Sequence, residues 1–226
     1  MNITFIIPSK GRPTLANTMN SLFALGNFNM AARAVIAFDA VEPIVSDSRR
    51  VKVVVTPKKL GKGVNSAGDV RNFAFDSIKH EYSYLGEEHN FYHNPHNDWL
   101  GFVDDDDTID HKYTEVVFDT VMEGGRNDSL PDVIIFRMMY QDGSILPPVD
   151  FKYDKNYNNA FKLENKVGIS FCCTAKLFHQ LGGFIPSSGE DSDFLKRAEV
   201  FGANIVLVDR VGYYVCPLGV PADRKK

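Results

Sequence analysis

Long hydrophobic runs are missing from this 226-residue sequence. The longest apolar stretches, Ile3 to Ile7 and Val133 to Phe136, fall far short of the roughly 20 residues a membrane-spanning helix needs, so no segment is expected to cross a bilayer. No basic segment leads into a long apolar one at the N-terminus, because Pro8 ends the first hydrophobic run, and no secretory signal is expected. The default compartment is cytoplasmic. Cysteine is scarce: of three, Cys172 and Cys173 are sequence neighbours, which is poor geometry for a mutual disulfide, and all three read as reduced packing residues. A basic excess is also absent. Twenty-five Lys plus Arg against 29 Asp plus Glu give a net charge of −4, which removes the field that non-specific binding to a phosphate backbone requires and excludes nucleic acid as the expected partner. What remains is 44% hydrophobic and 24% charged, enough to build a sizeable core.

Along the chain, apolar runs alternate with amphipathic ones. Asn2 to Pro8 reads as a buried strand, followed by a turn whose Pro13 suits the first turn of a helix. Leu15, Met19, Leu22 and Phe23 give that helix one apolar face. Strands are expected at Ala34–Phe38, ending at Asp39, and at Val51–Val55. Both are continuously apolar, as in a covered parallel sheet. Val70, Phe73, Ala74 and Ile78 line the next helix, which begins near Gly68-Asp69. A polar, His-rich connection leads to a fourth strand, Trp99–Val103, that runs directly into Asp104-Asp105-Asp106-Asp107. A helix carrying Val116, Val117, Thr120 and Val121 and a fifth strand, Val133–Met138, follow. This alternation predicts a mostly parallel α/β sheet flanked by helices, with ligands at the carboxyl ends of its strands. Beyond Tyr140 the pattern is less regular: a strand at Val167–Cys173, a short helix ending at Gly182-Gly183, a helix at Glu190–Phe201, and short strands at Ile205–Val208 and Gly212–Val215. One domain over residues 1–215 is expected, with 1–110 as a nucleotide-binding half, 111–215 as an acceptor-side half, and 216–226 as a frayed tail.

The four consecutive aspartates are the sharpest feature. Unit charges ~4 Å apart repel by ~1 kcal/mol even in water and by several times that near a protein surface, so a positive partner is expected among them. Mg²⁺ and Mn²⁺ favour oxygen ligands and leave positions for substrate phosphates. Asp104 and Asp106, at i and i+2 past a strand end, are the candidate carboxylates. A plain alternative is a solvated turn in which Asp107 or Thr108 caps the next helix. Asp104 to Thr108 also fits the D-x-D-x-T pattern of haloacid-dehalogenase-like phosphatases, whose first Asp is a covalent nucleophile, but that motif ends the first strand of its family and three strands precede it here. Asp104, Asp106, Thr108 and Glu115 fall on positions 1, 3, 5 and 12 of a Ca²⁺ loop, yet Ile109 stands where the turn demands Gly.

The order of motifs resembles a known family. Ile3 to Pro13 (ITFIIPSKGRP), Asp39, Val70-Arg71-Asn72, Phe102 to Ile109 (FVDDDDTI), Gly182-Gly183-Phe184, and Glu190 to Arg197 (EDSDFLKR) follow the succession in inverting GT-A glycosyltransferases of the "family 2" type. The resemblance covers residues 1 to about 208. It implies a GT-A-like fold, with Pro8, Ser9 and Arg12 against the nucleotide, Asp39 bonded to its base or ribose, and Arg71 and Asn72 shaping the pocket. Asp104 and Asp106 become the D-x-D motif, Asp106 the direct metal ligand and Asp104 nearer the ribose or a coordinated water, with Asp105 in the nucleotide-binding set. Mn²⁺ or Mg²⁺ would bridge the donor diphosphate as a Lewis acid. Asp191 would be the general base. The alternatives are Glu190 and Asp193, and a helix-start role in which Asp191 completes a capping box with Ser188. Family members often carry a late His as a further metal ligand; no His follows His179, so that ligand is missing or replaced.

Other polar residues read as structural or solvated. His89, His93 and His96 sit in a loop rich in Asn and Glu, where solvated histidines are the rule and a Zn²⁺ site the exception. Lys58, Lys59 and Lys62 could approach phosphate, although exposed lysines around a glycine serve solubility more often. Arg197 reads as a helix-surface charge. The expected function is metal-dependent inverting transfer of a sugar from a nucleoside diphosphate sugar, a UDP-sugar, to a hydroxyl of a glycan or related acceptor. The rivals are phosphoester hydrolysis at Asp104 and a non-catalytic domain that binds nucleotide-sugar or cation.

Overall fold

In the computed structural model, which describes residues 1–25, 31–61, 67–82, 95–153, 163, 167–185 and 189–215, the chain opens on β1 (Asn2–Ser9), α1 (Leu15–Phe23), β2 (Ala31–Phe38), β3 (Val51–Val55) and α2 (Gly68–Asp76). It continues through β4 (Asp98–Phe102), β5 (Thr108–Ile109), α3 (Tyr113–Arg126), β6 (Val133–Met139), β7 (Ile145–Leu146), β8 (Phe171–Thr174), α4 (Ala175–Gln180), α5 (Glu190–Phe201) and β9 (Ile205–Tyr214). Lys62, His89, His93, Ser188, Cys216 and the expected tail lie outside the described residues.

The described strands form one nine-stranded sheet in the order β3-β2-β1-β4-β8-β6-β9-β5, with β7 added on β6. Its longer ladders, β3-β2-β1-β4 and β6-β9, are parallel. β8 runs antiparallel to both β4 and β6. The fifth strand of the sequence pattern is therefore separated from the fourth by a strand formed some thirty-five residues later. β1 and the second half of β2 are buried on both faces, which their near-continuous apolar runs require. β3 is an edge strand, so its apolar residues are only half covered and Val55 is exposed.

Several expected faces turn out differently. α1 buries Leu15, Met19 and Leu22, whereas Phe23 faces outward under the Arg50 guanidinium, 5.1 Å from its ring centroid. Pro13 lies in the turn before that helix. α2 buries Val70, Ala74 and Phe75, with Ile78 just beyond its end, and leaves Phe73 half exposed. Of the strand expected at Val167–Cys173, only Phe171 onward is ladder. Val167 and Ile169 are buried without it, and Ser170 ties the approach to Phe136 through its hydroxyl and carbonyl. The two short final strands are one, β9.

Five phenylalanines bind the layers where the functional site forms. Phe184 packs 5.0 Å from Phe102 of β4, 5.4 Å from Phe178 of α4 and 5.4 Å from Phe194 of α5, and Phe171 of β8 stacks on Phe194 at 5.5 Å. Such pairs add to plain area burial and resist sliding. They hold the start of α5 against the end of β4. Cys172 and Cys173 are buried free thiols. Among the described residues, no helix is long and apolar enough to cross a membrane.

Candidate functional site

Beyond β4 the backbone turns back on itself, with the Asp107 N–H donating to the Asp104 carbonyl at 3.1 Å. α1 fixes this turn from one side: the Thr14 hydroxyl donates to the Asp105 carbonyl at 2.8 Å and the Thr18 hydroxyl to the Asp107 carbonyl at 2.7 Å. From the other side the buried Tyr213 hydroxyl donates to Asp107 Oδ2 at 2.7 Å and accepts the Asp104 N–H at 3.1 Å. Burial, with Asp107 and Asp104 nearby, raises the Tyr213 pKa well above its ordinary value, so the phenol keeps its proton. The helix-cap alternative for Asp107 and Thr108 fails on this geometry: Thr108 lies in β5, and α3 begins only at Tyr113 with no side-chain cap. The Ca²⁺-loop alternative fails too, since a strand rather than a helix precedes the turn and β5 interrupts the loop.

Asp105 points back under the loop after β1. Its carboxylate accepts the Ser9 hydroxyl and the Lys10 N–H, both at 2.9 Å, and approaches Arg12 at 3.4 Å. Burial raises the Asp105 pKa, against the lowering effect of those three partners. Arg12 makes its shorter contact, 2.6 Å, with Asp106 Oδ2. Pro8 completes this wall from the buried end of β1.

Arg71, on the first turn of α2, is the hub of the site. Only 3% of its side chain is exposed, and it reaches Asp104 at 2.6 Å, Glu190 at 2.5 Å and Asp191 at 3.8 Å. Burial works against its charge, but these three carboxylates outweigh it and raise its pKa. Glu190 is spent on structure: besides Arg71 it accepts the Gly68 N–H at 2.8 Å and the Ala67 N–H at 3.2 Å, closing the N-terminus of α2. A Cβ on Gly68 would stand 2.6 Å from the Glu190 carboxylate, so only glycine allows this approach. Asp193 pairs with Arg197 at 2.8 Å. Asp191 differs from both. Its Oδ1 is buried with no hydrogen bond, while its side chain as a whole is 27% exposed. Burial pushes its pKa up to about 7; Arg71 opposes the shift, and Glu190 and Asp104 add to it.

The remaining sequence candidates have structural partners. Asn72 clamps Phe184 in both directions, donating to its carbonyl at 2.7 Å and accepting its N–H at 2.9 Å. Asp39 accepts the Leu60 N–H at 2.7 Å and the Gly61 N–H at 3.1 Å, anchoring the loop after β3 at the same edge of the sheet. Arg197, expected as a surface charge, donates to the Leu181 and Gly183 carbonyls and ties that loop to α5. His96 faces the Pro131 carbonyl at 3.0 Å, a structural contact. Lys58 and Lys59 are exposed. Thr14, Thr18 and Tyr213 carry no signal in the sequence; their partners lie 86 to 109 positions away.

Asp104, Asp106 and Asp107 bring carboxylate oxygens within 4.8 Å of one another. Hard oxygen donors in this number fit Mg²⁺ or Mn²⁺. Arg12 and Arg71 each already engage one of these carboxylates, so a cation would share its ligands with two guanidinium groups.

No protein-family model matches the chain, and no curated protein matches it. Solved structures do. The S. aureus TarS 1–349 structure in complex with UDP superposes with a TM-score of 0.66 and 18% identity, covering 96% of this chain and 61% of that one. TarS 1–349 in complex with UDP-GlcNAc gives 0.64 and 19%, covering 95% and 58%. The longer TarS structure gives 0.65 and 18%, covering 95% and 36%. The chain thus spans about three-fifths of the length of the 1–349 structures. The likeness gives this chain the GT-A-like fold that the order of its motifs implies.

Proposed function

We propose that residues 1–215 act as one glycosyltransferase unit, moving a sugar from a UDP-sugar to a hydroxyl of a glycan or related acceptor with inversion. The observation that carries this reading is the Arg71 hub, which sets Asp104 at the end of β4 and Asp191 at the start of α5 on two sides of one guanidinium, in a fold shared with TarS. The TarS complexes with UDP and UDP-GlcNAc support uridine nucleotides as the donor class. The free, buried state of Cys172 and Cys173 suits a reducing, cytoplasmic setting.

Pro8, Ser9 and Arg12 line the donor's approach, and Asp39 with the loop it anchors faces the base and ribose. Asp104 and Asp106 would hold Mn²⁺ or Mg²⁺, and Asp105 keeps the Ser9–Arg12 loop in place beside them. When bound, the ion supplies Lewis-acid stabilisation of the departing diphosphate. Asp191 takes the acceptor's proton through the part of its carboxylate that is open to solvent. The acceptor oxygen then bonds to the anomeric carbon, and the bond from that carbon to the phosphate oxygen breaks with its electron pair on the nucleotide. Inversion follows from attack opposite the leaving group. Arg71, 3.8 Å from the Asp191 carboxylate, limits by its charge how far burial can raise the pKa of that base.

Thermal unfolding with UDP-GlcNAc or UDP and Mn²⁺ tests the reading, since a ligand that binds only the folded chain raises its melting temperature. An upward shift together with release of UDP from the donor is expected. Cleavage of p-nitrophenyl phosphate with no shift on adding UDP overturns it in favour of hydrolysis at Asp104. A shift without turnover on any acceptor favours a binding domain.

A further inference from the structure

One residue of the last strand directs its polar atom at the Asp104–Asp107 turn. Tyr213 is 1% exposed, and its oxygen bonds both ends of the turn, as donor to the Asp107 carboxylate and as acceptor from the Asp104 N–H. A phenol has one proton to give and lone pairs to receive, so it satisfies both at once. Thr14 and Thr18 hold carbonyls of the same turn, whereas Tyr213 reaches a side-chain carboxylate as well as the backbone.

Three features of β9 bring the ring there. The β6–β9 register slips between Ile135 and Arg137 and again between Arg137 and Met138, and such bulges re-aim the side chains beyond them. Gly212 lies flat on the Phe136 ring; a Cβ there would stand 2.3 Å from Phe136 Cδ1, so any other residue would push β9 away. β5, immediately after the turn, then pairs Ile109 with Tyr213 and Thr108 with Tyr214, and the Asp110 N–H donates to the Gly212 carbonyl at 3.0 Å. Bulge, glycine and ladder lash the end of the last strand to the acidic turn.

We propose that Tyr213 is a positioning residue for a cation-binding turn: its hydroxyl fixes Asp104 and Asp107 so that the carboxylates of Asp104 and Asp106 face one divalent ion. The inference rests on the donor and cation reading above. It also describes what the late part of this chain, which has no histidine after His179, contributes to the turn: orientation of the ligands, with no contact to the ion. Hydrogen bonds of this outer kind are worth roughly 10–100-fold in metal affinity.

The test is Mn²⁺ binding, followed by the electron paramagnetic resonance signal of the free ion, in the wild type, Tyr213→Phe and Asp107→Asn, without turnover. Tyr213→Phe is expected to weaken Mn²⁺ binding by about tenfold or more while melting cooperatively. Asp107→Asn keeps an acceptor oxygen for the phenol but removes a negative charge beside the ion, so it should weaken binding less than Tyr213→Phe does; where Tyr213→Phe does not fold, Gly212→Ala, which displaces the phenol by pushing β9 off the Phe136 ring, carries the test and should lose about tenfold or more. Wild type that binds Mn²⁺, with Tyr213→Phe matching it, overturns this inference and leaves the donor reading intact. A loss in Asp107→Asn as large as that in Tyr213→Phe makes Asp107 itself a ligand and overturns it as well. A wild type that binds neither Mn²⁺ nor Mg²⁺ removes the cation reading and this inference with it.

Discussion

The Oδ1 atom of Asp191 is sealed off without a hydrogen bond, 3.8 Å from Arg71, and ionising such a group costs the folded chain free energy. Its folded pKa, pushed up to about 7, exceeds the ~3.9 of an unfolded aspartate, so the native state holds this proton to higher pH. The stability contributed by the group is therefore full below about pH 4, falls as pH rises, and is gone above about 7. Asp191→Asn removes the ionisation cost. At pH 8 it should gain up to about 4 kcal/mol, several degrees in melting temperature for a chain this size, with a smaller gain, about 1–2 kcal/mol, at pH 5. The same variant should lose ~10²–10⁴-fold in transfer rate while still binding UDP, as loss of a general base requires. A stabilised, UDP-binding, inactive variant identifies a functional carboxylate; a destabilised one identifies a structural one. For the wild type, with Asp191 as the proposed base, kcat/KM should rise with pH along a single limb centred near 7 in the free protein, since a base must be ionised to accept a proton. The carboxylates proposed for the chemistry stand out in the sequence because their positions, after a strand and at a helix start, are local features of it. The partners of Asn72 and Asp39 do not, since each bonds to backbone groups brought in by a distant loop.

At the scale of elements, α5 and β4 meet through Phe184, which touches rings from both, and the Arg71 guanidinium lies 5.5 Å from the same ring. Phe184→Ala should destabilise the chain by ~3–5 kcal/mol, read as a lower denaturation midpoint with unchanged slope, and should weaken UDP binding because Arg71 loses the surface it rests on. Most elements were visible as runs of apolar residues, and the ends of β3 and α5 agree with the pattern to the residue. The misjudged faces share one physical origin. Phe73 and Phe75 are equally apolar, and only the angle at which α2 lies on the sheet decides which is covered. Phe23 shows the same limit: a cation from β3's approach shields a ring that the period alone would bury. β5 and β7, two residues each, are too short to leave any period in the sequence.

For the molecule as a whole, the alternation of strand and helix fixed the class of fold, and the fold placed the acidic turn where a parallel sheet presents its ligands. What alternation could not convey was the insertion of β8 against the direction of its neighbours, because that pairing depends on the return of a segment formed much later. Chelation should report on the assembled site: with EDTA, the thermal shift produced by UDP is expected to shrink or vanish and to return with Mn²⁺ or Mg²⁺, while the melting temperature without nucleotide barely moves. Loss of the folded state on chelation would instead make the ion a structural one. The sealed Arg71 carries a last consequence. Its counter-charges come from two places far apart in the chain, so a fragment ending at residue 110 would strand a cation in an oily interior with most of its neutralising company gone. Neither half can be borrowed, swapped or shortened at that seam without rebuilding the other, and recombination between relatives should respect it.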